Sequence, residues 1–166
     1  MAHRTVPNNF ELDAVAWKIL EALQQNARQS FAEIARQVGL STPAVAERVH
    51  RLEEAGVITG YHVALDIAKL GLPIRVLVRL TIPGGDLQVR RSVAAIKELA
   101  EICRCYRITG DESFVIEANV VSIRHMEALI DQLSALGATS TSTVLSSPVQ
   151  RREYRARQIE AFGKYI

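Results

Sequence analysis

The stretch from Ser30 to Gly60, SFAEIARQVGLSTPAVAERVHRLEEAGVITG, decides how the rest of the chain is read. Ser30 followed at the third place by Glu33 is a capping box: the hydroxyl accepts a first-turn amide and the carboxylate reaches back to the Ser30 amide. Ile34, Ala35 and Val38 continue at helical spacing, and Gly39 supplies the left-handed conformation in which helices commonly end. After Leu40 and Ser41, Thr42 serves as N-cap, and Pro43 sits where a missing amide hydrogen costs nothing, so a second helix starts at once. Two helices joined by about four residues with a glycine in the turn form a helix-turn-helix.

Val45, Val49 and Leu52, spaced i, i+4, i+7, make the one apolar stripe of the second helix, which leaves its opposite surface free. In helix-turn-helix proteins the N-terminal part of this helix meets base edges. The candidate DNA-facing residues are therefore Ser41, Thr42, Pro43, Ala44, Glu47, Arg48 and Arg51, the two arginines being suited to phosphate or guanine. After Gly56, the run Val57 to Leu65 is expected to be a strand, a wing or a connector. A capped helical hairpin is also a common structural unit, so the spacing alone leaves both readings open.

Outward from this stretch, Asp13 is expected to cap a helix running to about Ala27, with Val15, Ile19 and Leu23 inward and Trp17 packing. Residues 1–9 read as a loose arm. The chain of 166 residues is 48% hydrophobic, which suits an ordinary globular protein with one or two small cores. No apolar run approaches the roughly 18 residues that span a membrane, and no signal-peptide pattern opens the chain, so the expected compartment is the cytoplasm. The net charge of +2 is uneven: residues 1–62 hold six Lys or Arg against seven Asp or Glu, and residues 63–150 nine against nine. Residues 151–166 hold five against two. The helix-turn-helix segment is thus not basic, and any electrostatic footprint must come from the placement of Arg28, Arg36, Arg48 and Arg51, from doubling in a dimer, or from the tail.

The composition changes at DIAKLGLP, residues 66–73, where Gly71 and Pro73 punctuate the chain. Ile74, Val76, Val78, Leu80 and Ile82 alternate as a strand with one apolar face. Val89, Val93, Ile96 and Ala100 mark a helix, Ile102 to Thr109 and Phe114 to Val121 two strands around GDES, Met126, Leu129, Ile130, Leu133 and Leu136 a second helix, and Thr139 to Leu145 a last strand. The order βαββαβ is the ferredoxin-like unit, with both helices on one face of a four-stranded antiparallel sheet. The uncovered face holds Arg75, Leu77 and Arg79 with either the cysteine or the Tyr106 side of the second strand, and such a half-apolar face suits self-association about a two-fold axis. Cys103 and Cys105, the only cysteines, form a C-x-C whose side chains share a strand face, and none of His3, His50, His62 and His125 stands at ligand spacing from them. Strand packing is expected there, with no metal site.

LSTPAVAERVHRLEEAGVITGY, preceded by LDAVAWKILEALQQNAR and followed by a βαββαβ pattern with TGDES between the central strands and TSTSTVL in the last, resembles the Lrp/AsnC, or feast/famine, family of transcription regulators. The resemblance covers about residues 11–147 and is most specific at Leu40, Ser41, Val45, Arg48, Val49, Arg51, Leu52, Glu53, Gly56, Val57, Ile58, Gly60 and Tyr61. It implies an α+β protein: an N-terminal winged helix-turn-helix domain over residues 1–62, a connector over 63–73, a ferredoxin-like effector-binding and oligomerisation domain over 74–147, and a basic extension over 148–166. It implies double-stranded DNA as partner, a homodimer assembling to tetramers or octamers, a nucleoid-associated cytoplasmic location, no enzymatic activity and no cofactor. It also implies a small-molecule effector, usually an amino acid, at the Gly-Asp turn. The candidate effector residues are Thr109, Gly110, Asp111, Glu112 and Ser113, with Thr141 and Thr143 offering hydroxyls from the last strand. Relatives usually continue that turn with an aromatic residue and a second aspartate, where this chain has Glu112 and Ser113.

The tail QRREYRARQIEAFGKYI reads either as a helix contacting DNA or a neighbouring subunit, or as a solvated extension, and its charge pattern leans to the extension. A competing reading is a tetrapyrrole-processing enzyme of the sirohaem decarboxylase type, which needs histidines and arginines converging in the C-terminal domain. His125 has no second histidine there. A third is an interaction module that binds no DNA.

Overall fold

A computed structural model describes residues 12–162. They fall into two compact units, one made of the chain up to Ala64 together with the segment from Val149 on, the other Leu65–Pro148.

The first unit is built on three helices, α1 (Ala14–Gln25), α2 (Phe31–Val38) and α3 (Thr42–Glu54). Asp13 caps α1 through the Ala16 amide, as its position before the apolar periodicity requires. The helix ends at Gln25, two residues short of Ala27. Both halves of the Ser30/Glu33 capping box are present, and Gly39 closes α2 with φ 73°. Ser41, not Thr42, is the N-cap of α3: its backbone is extended and its hydroxyl accepts from the Ala44 amide, which makes Thr42 the first helical residue. Ile19, Leu23, Ile34, Val45, Val49 and Leu52 are buried together as the core, with Val57 and Ile58 packed at its edge.

Residues 57–65 form no strand. The amides of Val57 and Ile58 turn back onto the Leu52 carbonyl at 2.9 and 3.0 Å, after Gly56 at φ 72°, and the described residues of this unit hold no strand for them to pair with. The expected wing is therefore replaced by a segment that folds onto the end of α3, where the Tyr61 hydroxyl donates to Glu53 at 2.9 Å. The tail carries a short helix, α6 (Ala156–Phe162), and belongs to the same compact unit as the three helices.

The second unit is a four-stranded antiparallel sheet of order β2-β3-β1-β4, with β1 (Ile74–Thr81), β2 (Ile102–Arg107), β3 (Phe114–Val120) and β4 (Ala138–Thr143). Helices α4 (Asp86–Glu98) and α5 (Ile123–Ser134) complete the βαββαβ order. Val76, Val78, Leu80, Phe114, Ile116, Ala118 and Val120 are buried in one core with Ile96 of α4 and Leu129 and Leu133 of α5, so both helices lie on one face. The strands are shorter than the apolar runs suggest, and Ala100 lies beyond the end of α4.

The register across β1 and β3 puts Arg75 opposite Asn119, Leu77 opposite Glu117 and Arg79 opposite Val115 on the uncovered face. Arg104 and Tyr106 join them from β2, and Ser140 and Ser142 from β4. The two cysteines do not share a face. A register shift between Ile102 and Arg104 adds a residue at Cys103, whose thiol meets Asn119 Nδ2 at 3.4 Å and the Glu117 carbonyl at 3.2 Å, whereas Cys105 stands opposite buried Ile116. An extra residue breaks the two-residue alternation on which the C-x-C expectation rested.

Candidate functional site

The start of α3 offers a surface of small side chains. Ser41, Thr42 and Pro43 are exposed and Ala44 is half-buried, so nothing bulky stands over the positive end of the helix dipole. Glu47 and Arg51 follow on the exposed surface and Arg48 on the flank. Asp13, Ala16, Ala44, Glu47, Arg48, Arg51 and Leu52 line an open cleft of about 400 Å³ between the first turn of α1 and the middle of α3. The structure thus brings Ala44, Glu47, Arg48 and Arg51 to one cleft wall.

Both arginines already hold a carboxylate. Arg51 Nε donates to Glu47 Oε1 at 2.8 Å, one helical turn back. Arg48 Nη1 donates to Asp13 Oδ2 at 2.7 Å. The Ala16 amide on Asp13 Oδ1, and then the Arg48 guanidinium, hold the Asp13 carboxyl below the usual carboxylate range. Sequence spacing missed Asp13 as part of this surface. Its partner stands 35 residues away, and the cap position gave it a sufficient local role.

In the sheet unit, Gly110 takes φ 116° and the turn is strapped to the end of β1. The Ser113 amide donates to the Leu80 carbonyl at 2.9 Å, Ser113 Oγ accepts from the Ile82 amide at 3.0 Å, and Thr81 Oγ1 donates to the Asp111 carbonyl at 3.3 Å. Glu112 lies 3.9 Å from Arg79 Nε, whose Nη1 donates to Ser142 Oγ at 3.4 Å. Ser113 is spent on holding the turn, while Thr109 and Asp111 keep exposed side chains. Thr141 and Thr143 are not brought to this turn. They pair with Val78 and Val76, so they stand on the helix-covered face and progressively farther along β4 from the turn.

Two further clusters order the same unit. Glu117, nearly buried on the uncovered face, lies 3.4 Å from Arg75 and 3.6 Å from Arg104. His125 Nε2 meets Glu101 Oε1 at 2.8 Å, which lowers the Glu101 carboxyl, and the Val121 amide donates to His125 Nδ1 at 3.4 Å. With both ring nitrogens engaged by the protein, His125 is committed to tying α5 to its neighbours.

Comparison with known proteins matches residues 12–53 to the AsnC-type helix-turn-helix domain and residues 75–154 to the Lrp/AsnC ligand binding domain. The chain is 35% identical over 137 residues to the HTH-type transcriptional regulator LrpC of Bacillus subtilis, covering 82% of this chain and 94% of the relative. It is 34% identical to the leucine-responsive regulatory protein of Haemophilus influenzae, over 86% of this chain and 89% of that one. The solved structure of B. subtilis LrpC superposes with a TM-score of 0.80, at 33% identity, over 86% of this chain and 100% of the other. A feast or famine regulatory protein from M. tuberculosis, complexed with L-methionine, superposes with a TM-score of 0.79 at 27% identity, over 87% of this chain and 99% of the other. A three-helix unit with a capped, small-faced α3, joined to a βαββαβ unit with a strapped Gly-Asp turn and matched over nearly their whole lengths by these relatives, identifies the chain as a member of the Lrp/AsnC family of transcriptional regulators.

Proposed function

We propose that this protein reads double-stranded DNA with the N-terminal half of α3 and that a small molecule bound by the sheet unit modulates the binding. The observation that carries the DNA reading is the bare N-terminus of α3: exposed Ser41, Thr42 and Pro43 with half-buried Ala44 let a helix end approach a groove closely. Ser41 and Thr42 supply hydroxyls, the Thr42 amide and Arg51 meet phosphates, and Glu47 stands where it can accept from cytosine. Arg48 acts from its seat on Asp13.

The effector is an amino acid, a reading supported by the complex of the M. tuberculosis relative with L-methionine. Asp111, Glu112 and the Thr109 hydroxyl are the groups at the turn through which an α-amino group is held, and Arg79 is the cation beside them for a carboxylate. Ser113 shapes the turn through Ile82. The uncovered sheet face, with half-buried Leu77 and Val115 beside Tyr106 at 52% exposure, supports a homodimer that assembles further into tetramers or octamers. No helix among the described residues is long and apolar enough to cross a membrane, and the reading places the protein on the nucleoid.

A gel shift on the DNA upstream of the protein's own reading frame and its neighbour, with and without a mixture of the protein amino acids, tests both halves. A shift that changes with the mixture supports both. An unresponsive shift removes the effector half, and no shift at all removes the DNA half.

A further inference from the structure

The C-terminal segment joins the helix-turn-helix unit by a specific contact. The side-chain amide of Gln24, in the last turn of α1, meets the backbone of Tyr154 on both of its edges: Nε2 donates to the Tyr154 carbonyl at 3.0 Å and Oε1 accepts from the Tyr154 amide at 2.9 Å. A side-chain amide that reproduces both halves of a strand pairing fixes the position of one residue of the tail and its local direction. On either side of this clip stand Arg151, Arg152, Arg155 and Arg157, all exposed. Arg155 lies 3.6 Å from Glu153, and the other three make no ion pair among the described residues.

The charge balance gives this placement a meaning. Up to residue 62 the unit holds six basic against seven acidic residues, and the two arginines of α3 are each held by a carboxylate. Duplex DNA carries a negative charge about every 1.7 Å of its axis, and affinity rests largely on cations that displace its counterions. Among the described residues of this unit, Lys18, Arg28 and Arg36 are the cations outside an ion pair on the helical part, and Arg151, Arg152 and Arg157 of the tail double that number within seven residues. The clip also has a suitable place. Gln24 precedes, by the loop 26–29, the N-cap Ser30 of α2, and it is the first helix of a helix-turn-helix that crosses the DNA backbone.

We propose that the segment from Arg151 to Phe162 is a second DNA-contacting element, clipped to α1 through Gln24, whose arginines bind backbone phosphates beside the stretch read by α3. This rests on the DNA-binding reading above and extends it to a segment that the helix-turn-helix match does not cover.

The test uses the full chain and a fluorescein-labelled duplex of mixed sequence, about 30 base pairs long, because phosphate contacts do not depend on sequence. Anisotropy titrations across a salt series compare the wild type with a variant carrying Arg151→Gln, Arg152→Gln, Arg155→Gln and Arg157→Gln, with Gln24→Ala, and with Arg51→Ala. The fourfold variant is expected to lower the slope of log affinity against log salt by roughly 2 to 4 per chain, and Gln24→Ala to lower affinity at low salt several-fold while the gel-filtration volume stays unchanged. A fourfold variant with the wild-type slope overturns the proposal. So does wild-type affinity in Gln24→Ala, which would show that the clip has no part in binding. A changed elution volume with an unchanged slope overturns it in favour of a contact between subunits. If the wild type itself fails to bind while remaining folded, the DNA-binding reading fails with it, whereas wild-type binding weakened by Arg51→Ala alone leaves that reading standing without the tail.

Discussion

Arg48 Nη1 and Asp13 Oδ2 stand 2.7 Å apart, joining the middle of α3 to the residue that caps α1. One carboxylate thus serves two elements: Oδ1 accepts from the Ala16 amide and Oδ2 from Arg48. The pair is partly exposed, so its value lies in orientation more than in energy. Asp13→Asn keeps a good cap and removes the charge, and is expected to cost less than about 1 kcal/mol in urea unfolding, whereas Asp13→Ala loses both and costs about 1 to 2 kcal/mol. Equal losses in the two variants would show that the cap contributes nothing.

The same carboxyl contributes to the acid sensitivity of the first unit. Its folded-state pKa lies below the ordinary value of 3.8, so it binds protons less readily folded than unfolded. Its stabilising effect is present above the unfolded value and is lost as pH falls through the folded one. Stability measured by denaturant between about pH 5 and pH 3 should therefore drop less steeply in Asp13→Asn than in the wild type.

Arg51 extends from α3 with its Nε on Glu47. Arg51→Ala is expected to weaken DNA binding by roughly 1 to 3 kcal/mol without altering the oligomer, and Glu47→Gln to raise affinity for mixed-sequence DNA by releasing the guanidinium. Titrations at one fixed salt concentration, paired with gel filtration, check both. Unchanged affinity in Arg51→Ala would remove this residue from the interface.

Tyr61 titrates high. Burial and then its hydrogen bond to Glu53 push the phenol up from 10.0 to about 12. Because the folded value exceeds the unfolded one, the associated stability is complete below pH 10 and is lost as pH rises through about 12. Absorbance titration of tyrosinate should show one late-ionising group that disappears in Tyr61→Phe.

Gly137 joins α5 to β4 where a Cβ would run into the Thr81 carbonyl and lie 3.2 Å from Ile82 Cα. Backbone cannot yield there as a flexible side chain can. Gly137→Ala is expected to destabilise the sheet unit by on the order of 1 to 3 kcal/mol, read as a lowered thermal midpoint. A stability loss of only a few tenths would mean that the β1 and β4 ends shift freely.

What the sequence made legible is what depends on near neighbours. Ser30 and Glu33 cap α2 three residues apart, Gly39 ends it, and Val45, Val49 and Leu52 form a stripe within one helix. The alternation of Val76, Val78 and Leu80 likewise declares a covered face. Features that depend on partners far along the chain escaped. Val57 to Leu65 has the composition of a strand, but a strand needs an edge to pair with, and the amides of Val57 and Ile58 found the Leu52 carbonyl instead. The extra residue at Cys103 is set by how β2 meets β3, which no period in β2 alone records. Arg48 was readable as a cation on an exposed flank, but its seat on Asp13 was not. Thr141 and Thr143 have the right hydroxyls for a ligand, yet their register with Val78 and Val76 turns them to the helix side.

The clip between Gln24 and Tyr154 also changes how the chain is wired. The polypeptide leaves the DNA-reading unit after Ala64, builds the sheet unit, and returns at Val149, so the sheet unit is an insertion held by two covalent tethers instead of one. A ligand that reshapes the sheet unit can pull on the DNA-reading unit from both ends of its sequence. A reporter or affinity tag attached after the tail would travel with the part that reads DNA, as one before α1 would, and a label placed within the sheet unit is the safer choice for binding work.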